Sequence, residues 1–273
     1  MATPQNPPDG EQKDMSFLEH LEELRRKLIW AAAGLIAGIV VVVIYADFVI
    51  KDIILGMTTP DFITYRWLCR LGEKTGMADM CFDTMPFTIQ NTALGGNFSA
   101  YITTCITGGL VIGFPWVFYQ LWSFIRPGLK QTEVRAVRGI VAYVSLLFAL
   151  GALFGYFVLA PMSVQFLGSF EYGNVPTNAT ITSYIKIISS LVLGTALIFQ
   201  LPVLIYFLSK VGLVTATFLR KYRRHAFVVN LIVAAIITPP DVTSQILVAV
   251  PILLLYELSI LIAARVERKK SKG

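Results

Sequence analysis

Charge is scarce in this chain, and so are the side chains that usually carry enzymatic chemistry. Only 15% of its 273 residues are Asp, Glu, Lys or Arg, and there are two histidines and three cysteines. An ordinary soluble globule needs more polar residues than this to cover its surface, so that class is excluded. His20 and His225 stand apart from any paired Cys/His spacing, so no metal site is expected. The long apolar runs contain Ser and Thr but no His, which leaves no nucleophile with an activating base inside them and argues against an intramembrane enzyme. No Gly-rich phosphate loop is present, no internal repeat is visible, and no cofactor is expected.

What is abundant is apolar: 55% of the residues are hydrophobic and the mean hydropathy is +0.67. A helix crosses a hydrocarbon core of roughly 30 Å with about 20 apolar residues, each rising about 1.5 Å. Six stretches read as spans: 28–46, 98–121, 139–161, 187–209, 226–238 and 246–264. The fifth is short, reaching only about 20 Å. Pro115, Pro161, Pro202, Pro251 and the pair Pro239-Pro240 interrupt or close these runs, which predicts kinked helices packed as a curved, concave wall. The fold class is therefore an all-α membrane protein with six transmembrane helices.

The basic "RRK" at 25–27 precedes a run too long for a cleaved leader and lacking a small-residue cleavage pattern, so it reads as a retained anchor. Residues 1–15, Pro-rich and polar, have little to bury and predict a disordered tail. Residues 16–265 then form one membrane domain, followed by a basic tail at 266–273. Of the 23 Lys and Arg residues, the outer loops hold only Lys51, Arg66, Arg70 and Lys74, with Lys186 at a boundary. Both termini therefore face the cytoplasm. The net charge of +6 reflects this bias toward anionic lipid and argues little for a nucleic-acid partner. Cys69 and Cys81 share the long first outer loop, where they form a disulfide or remain two free thiols.

Ahead of the first span, "SFLEHLEELRRKL" places Phe17, Leu18, Leu21, Leu24 and Leu28 at three- and four-residue steps with charges opposite, which predicts an interfacial amphipathic helix. Ser16 and Glu19 fit a capping box, and Glu22–Arg26 and Glu23–Lys27 fit i,i+4 pairs. On spacing alone, the acids offset the basic cluster on a solvated face. Gln200, Asn230 and Glu257 fall inside spans, where polar groups face protein or a cavity. Glu257 is expected to pair internally.

Three stretches carry a resemblance. They are "HLEELRRKL", "FPWVFYQLWSFIRPGLKQTE" and "ITPPDVTSQILVAVPILLLYE", in this order on the six-span frame. Together they resemble the TatC family, the multi-spanning subunit of the twin-arginine protein translocase, over roughly residues 16–265. The outer insertion 50–97 is longer and unlike it. The resemblance implies a non-enzymatic receptor in the bacterial inner membrane for signal peptides of folded precursors that carry two adjacent arginines, driven by a proton gradient. The positions it implicates in that contact are Glu23 and Glu133, with Phe124, Pro127 and Arg25 around them and Glu22 as a neighbouring acid. On residues alone, Glu133 is equally a local partner for Arg135 or Lys130. The resemblance also implies that Gln200 docks TatA-type or TatB-type single-span subunits, that Tyr156 and Pro161 shape the groove, and that Asp241 and Gln245 matter for transport or subunit organisation. Asp241 reads just as well as a helix cap. A homo-oligomer within the complex is expected. A secondary transporter of a small solute or ion is the alternative, but it predicts related halves and paired substrate ligands, and neither is visible.

Overall fold

The structure, a computed structural model, describes residues 17–76, 81, 87–126, 139–169, 178–238 and 242–270. The tail at 1–15, the cap residue Ser16, and the site candidates Pro127, Glu133 and Asp241 lie outside these residues.

Helix α1 runs unbroken from Phe17 to Ile44. The expected amphipathic segment is therefore the opening part of the first span, continuous with it. The reason is local: no Pro or Gly stands between Phe17 and Ala33 to break the ladder. Beyond Ile44 the chain makes a turn at Ala46–Phe48, a π-helical stretch at Val49–Ile54 and a 3-10 turn at Leu55–Thr58. Helix α2, Ile63–Thr75, follows and is closed by Gly76 in the left-handed region, φ 76°, where a side chain would be strained.

Helix α3 spans Gly96–Ile125 and passes through Pro115. The next rod is built from α4 (Ile140–Phe154), a π-helical turn at Gly155–Leu159, and α5 (Ala160–Ser169). Pro161, which has no N–H to donate, falls in the first turn of α5, where that loss is tolerated. A further rod consists of α6 (Ile181–Ile198) and α7 (Leu201–Val211), interrupted at Phe199–Gln200 with Pro202 opening α7. The short helix α8 (Ala216–Lys221), α9 (Arg223–Ile237) and α10 (Val242–Lys270) complete the chain. Within α10 the helix continues through much of the expected basic tail.

Among the described residues, five helical rods are long and apolar enough to cross a membrane. The expected fifth span, 226–238, corresponds to the 15-residue α9, which reaches about 22 Å and stays short of a hydrocarbon core of roughly 30 Å. Strand β1 (Thr88–Gln90) pairs in parallel with β2 (Asn178–Thr180), a clasp that the all-helical expectation did not contain. It ties the segments leading into α3 and α6 together.

Helix α1 packs mainly on α3, α3 on α4 and α6, α7 on α10, and α10 on α9. The α1–α3 contact is made possible by glycine. A Cβ on Gly38 would stand 2.5 Å from the Gly109 carbonyl oxygen, and one on Gly109 would stand 2.7 Å from the Ile39 backbone. Backbones this close gain van der Waals contact that the membrane itself does not supply. The main core, including Met57, Leu159, Ile185, Leu191 and Ile252, gathers α5, α6 and α10 beneath the 49–58 turns.

Candidate functional site

The two implicated motifs meet at one end of the α1–α3 pair. His20 stacks on Phe124, with ring centroids 4.6 Å apart and planes at 23°. Lys27 Nζ donates to Ser123 Oγ at 2.7 Å, and Trp116 Nε1 donates to the Trp30 carbonyl at 2.9 Å. His20, Glu23, Lys27, Trp30 and Gly34 follow three- and four-residue steps, so this is the face that α1 turns toward α3. Glu23 sits on that face and is half-buried, whereas Glu22, Arg25 and Arg26 are exposed.

This arrangement corrects the local pairing expected from spacing. Ion pairs form at Lys51–Asp47 and Arg223–Glu257, whereas among the described residues neither Glu22–Arg26 nor Glu23–Lys27 does. Lys27 is committed to Ser123 at the C-terminal end of α3, where helix carbonyls and the dipole favour a cation. An open cleft of about 530 Å³ is lined by Glu19, Glu22, Glu23, Arg25, Arg26 and Ile29. The Glu22 or Glu23 carboxylate there can accept the planar donor fork of a guanidinium in two hydrogen bonds.

The structure thus brings Glu22, Glu23, Arg25 and Phe124 to one end of the protein. Glu133 and Pro127 follow Phe124 in the chain but lie outside the described residues. A model of the family described as "Sec-independent protein translocase protein (TatC)" matches residues 19–251.

The chain belongs to the TatC family.

A TatC of Blattabacterium sp. subsp. Periplaneta americana is 38% identical over 264 residues, covering 96% of this chain and 99% of that one. A TatC of Halalkalibacterium halodurans is 33% identical over 262 residues, covering 96% and 94%. A crystal structure described as the twin-arginine translocase receptor TatC in DDM superposes with a TM-score of 0.70 at 29% identity, covering 90% of this chain and 99% of that one. The family is one of protein translocase components, and the apolar rods make this member a membrane-spanning protein.

The second group of TatC candidates is dispersed. Gln200 occupies the α6–α7 break. Its Nε2 lies 3.4 Å from the Val144 and Ala196 carbonyl oxygens, and its Oε1 is buried with no hydrogen-bond partner among the described residues. Gln245 Nε2 donates to the Leu231 carbonyl at 3.3 Å, joining α10 to α9. Tyr156 and Pro161 serve the opposite end from the acidic cleft: the Tyr156 hydroxyl donates to the Ile53 carbonyl at 2.7 Å, and the buried Pro161 carbonyl accepts from Tyr65 at 3.1 Å. Cys69 and Cys81 are joined, with Cα atoms 4.3 Å apart. Glu73 lies beside that bridge, but disulfide sulfurs are not thiolate ligands, so the three make no metal site.

Two features escaped the sequence. His20 carried no local sign of its ring contact, since its partner lies in a helix remote in the chain. Thr195, buried, donates its hydroxyl to the Leu191 carbonyl at 2.6 Å and lies 3.0 Å from the Gly151 carbonyl of α4. Its signal was the pairing of a small polar residue with a glycine on a neighbouring span.

Proposed function

We propose that this chain is the receptor and core subunit of a twin-arginine translocase, capturing the paired arginines of an export signal at the α1–α3 end. Glu23 takes one guanidinium, and Glu133, three residues after Lys130 in the loop that follows α3, takes the other. Phe124 and Pro127 shape the site, while Arg25 and Glu22 set the surrounding field. The carrying observation is Glu23 itself: half-buried, between the His20–Phe124 stack and the Lys27–Ser123 bond, and without an ion pair among the described residues.

The energetics suit reversible capture. Exposed ion pairs contribute about 0 to 1 kcal/mol, whereas charge-assisted hydrogen bonds reach about 1.5 to 3. Two sheltered contacts together with burial of the signal's apolar segment along the spans give binding that can be undone. In this reading the protein sits in the bacterial inner membrane with both termini cytoplasmic, α9 serves as the short fifth of six spans, and single-span TatA-type and TatB-type subunits dock at Gln200, where an amide both donates and accepts. Gln245 and Asp241 order the α9–α10 corner of that assembly.

The test is photo-crosslinking of a synthetic signal peptide to the purified full chain in detergent. Paired arginines should crosslink, paired lysines should crosslink weakly, and paired alanines should not. Glu23→Gln and Glu133→Gln should each lower the yield, and the double variant should abolish it. Equal yields for arginine and alanine peptides would overturn the reading.

A further inference from the structure

Helix α2 lies in the segment 50–97 between the first two long spans, and it presents two surfaces of different chemistry. Its inward face carries Tyr65, which is 1% exposed, with Leu68 and Gly72. Burial holds the Tyr65 hydroxyl well above the usual phenol range, so it remains a donor to the Pro161 carbonyl. Thr64 Oγ1 donates to the Phe157 carbonyl at 2.6 Å, and Phe62 stacks on Phe157 with centroids 6.1 Å apart. Cys69, on the inward flank, holds Cys81 close and away from the opposite face.

That opposite face is open. Ile63, Trp67 and Leu71 are 57%, 63% and 39% exposed and follow one another at four-residue steps. Arg66, Arg70 and Lys74, also exposed, follow the same step three residues later. An offset of three residues is about −60° around a helix, so an apolar stripe and a cationic stripe run side by side. Glu73 is the only acid in these 13 residues.

The depth of this face follows from what α2 is bonded to. Ile140 to Phe157 is about 26 Å of helix, most of a hydrocarbon core of roughly 30 Å, so α2 is fixed where that core gives way to headgroups. The chain that leads toward it is of the same kind: Tyr45 and Phe48, just past the end of α1, are exposed aromatics of the sort found in interfacial belts. A Trp with aliphatic neighbours beside cations, at this level, matches the acyl–headgroup boundary.

We propose that α2 is an interfacial anchor that binds phosphate-bearing lipid headgroups at the membrane surface where α1 ends. Ile63, Trp67 and Leu71 enter the boundary, and Arg66, Arg70 and Lys74 take the phosphates. This goes beyond signal-peptide capture, which uses the opposite end of α1.

The experiment uses the full chain in nanodiscs containing phosphatidylglycerol. A genetically encoded nitroxide amino acid replaces Trp67 or Glu73, leaving the Cys69–Cys81 bridge untouched, and its collision with oxygen and with a water-soluble nickel chelate is measured. The label at 67 should favour oxygen and the label at 73 should favour nickel. With Arg66, Arg70 and Lys74 all changed to Gln, the oxygen preference at 67 should collapse toward the value at 73. In the unlabelled chain, headgroup-proximal brominated lipid should quench a component of tryptophan emission that Trp67→Phe removes. Three results would overturn the proposal: nickel access at both sites, shielding of 67 from both reagents (a second copy or a protein partner on this face), or no response at 67 to the triple change.

Discussion

The imidazole of His20 lies 4.6 Å from the ring of Phe124, nearly parallel to it, and so locks the opening turns of α1 to the last turn of α3. Glu23 follows one turn after His20 on the same face, so its carboxylate is aimed by this stack. Aromatic contacts of this kind contribute about 0.5 to 1.5 kcal/mol beyond area burial. Phe124→Leu keeps an apolar side chain and loses the stack. Signal-peptide affinity should then fall roughly two- to tenfold while thermal stability changes little. A titration of labelled twin-arginine peptide against both proteins checks it.

The glycine seam between α1 and α3 makes a second, purely steric prediction. Gly109→Ala puts a methyl 2.7 Å from the Ile39 backbone, which has no rotamer by which to escape. Overpacking of this sort costs about 1 to 3 kcal/mol, and the melting midpoint in detergent should fall accordingly. Gly56→Ala is the control, because nothing lies within 4 Å of its added Cβ. A midpoint unchanged in Gly109→Ala would mean that the helices do not pack as closely as described.

These two cases mark what the sequence disclosed and what it did not. Spans such as 98–121 were legible because a long apolar run has only one economical backbone in lipid, the helix. Pro202 announced the α6–α7 break because it lacks an N–H, and Cys69 and Cys81 announced a possible bridge by their shared loop. The pairing of Glu23 with Lys27 was wrongly expected because i,i+4 spacing says nothing of a competing acceptor, here Ser123 from another helix. Tyr65 and Tyr184 looked like ordinary aromatics, and only the resemblance singled out Tyr156, yet each hydroxyl reaches a carbonyl remote in the chain. Long-range bonds of that type leave no local pattern. At the candidate site, spacing revealed the amphipathic face, while only the family resemblance singled out Glu23 from Glu19 and Glu22.

Those tyrosines give a third prediction. Tyr184, 3% exposed, donates to the Ile54 carbonyl at 2.7 Å, and Tyr156, half-buried, donates to Ile53 at 2.7 Å. Tyr184→Phe leaves a buried carbonyl with one partner fewer and should cost about 1 to 3 kcal/mol; Tyr156→Phe should cost less. Because both bonds hold the 49–58 turns, limited proteolysis of the Tyr184→Phe protein should nick this segment sooner. Unchanged protection of it would count against the anchoring role.

The thiol inventory is the fourth. Cys69 and Cys81 are bonded to each other, and Cys105 is free but buried. Unreduced protein unfolded in dodecyl sulfate should therefore take up a single alkylating group, and native protein in mild detergent should react slowly. Reduction before unfolding should expose all three cysteines of the chain. Three reactive thiols without reduction would show the two loop cysteines to be separate.

The Arg223–Glu257 pair is the fifth, and its two halves should not be equivalent. Arg223 opens α9 and donates to the Glu257 carboxylate, which lies within the apolar stretch Gln245–Arg268 of α10. Without Glu257, the long Arg223 side chain can reach toward headgroups and water. Without Arg223, the carboxylate is left unpaired on a span, a placement that costs about 2.5 to 3.5 kcal/mol at mid-bilayer. With side chains 57% and 45% exposed, the pair lies outside the packed core, so neighbouring helices offer the stranded carboxylate little in place of Arg223. Arg223→Gln should therefore lower the melting midpoint more than Glu257→Gln does. The double variant should be more stable than the sum of the single effects allows, because the second change removes the charge that the first stranded. A cycle of the four proteins in one detergent measures this, and strictly additive effects would mean that the two side chains do not interact.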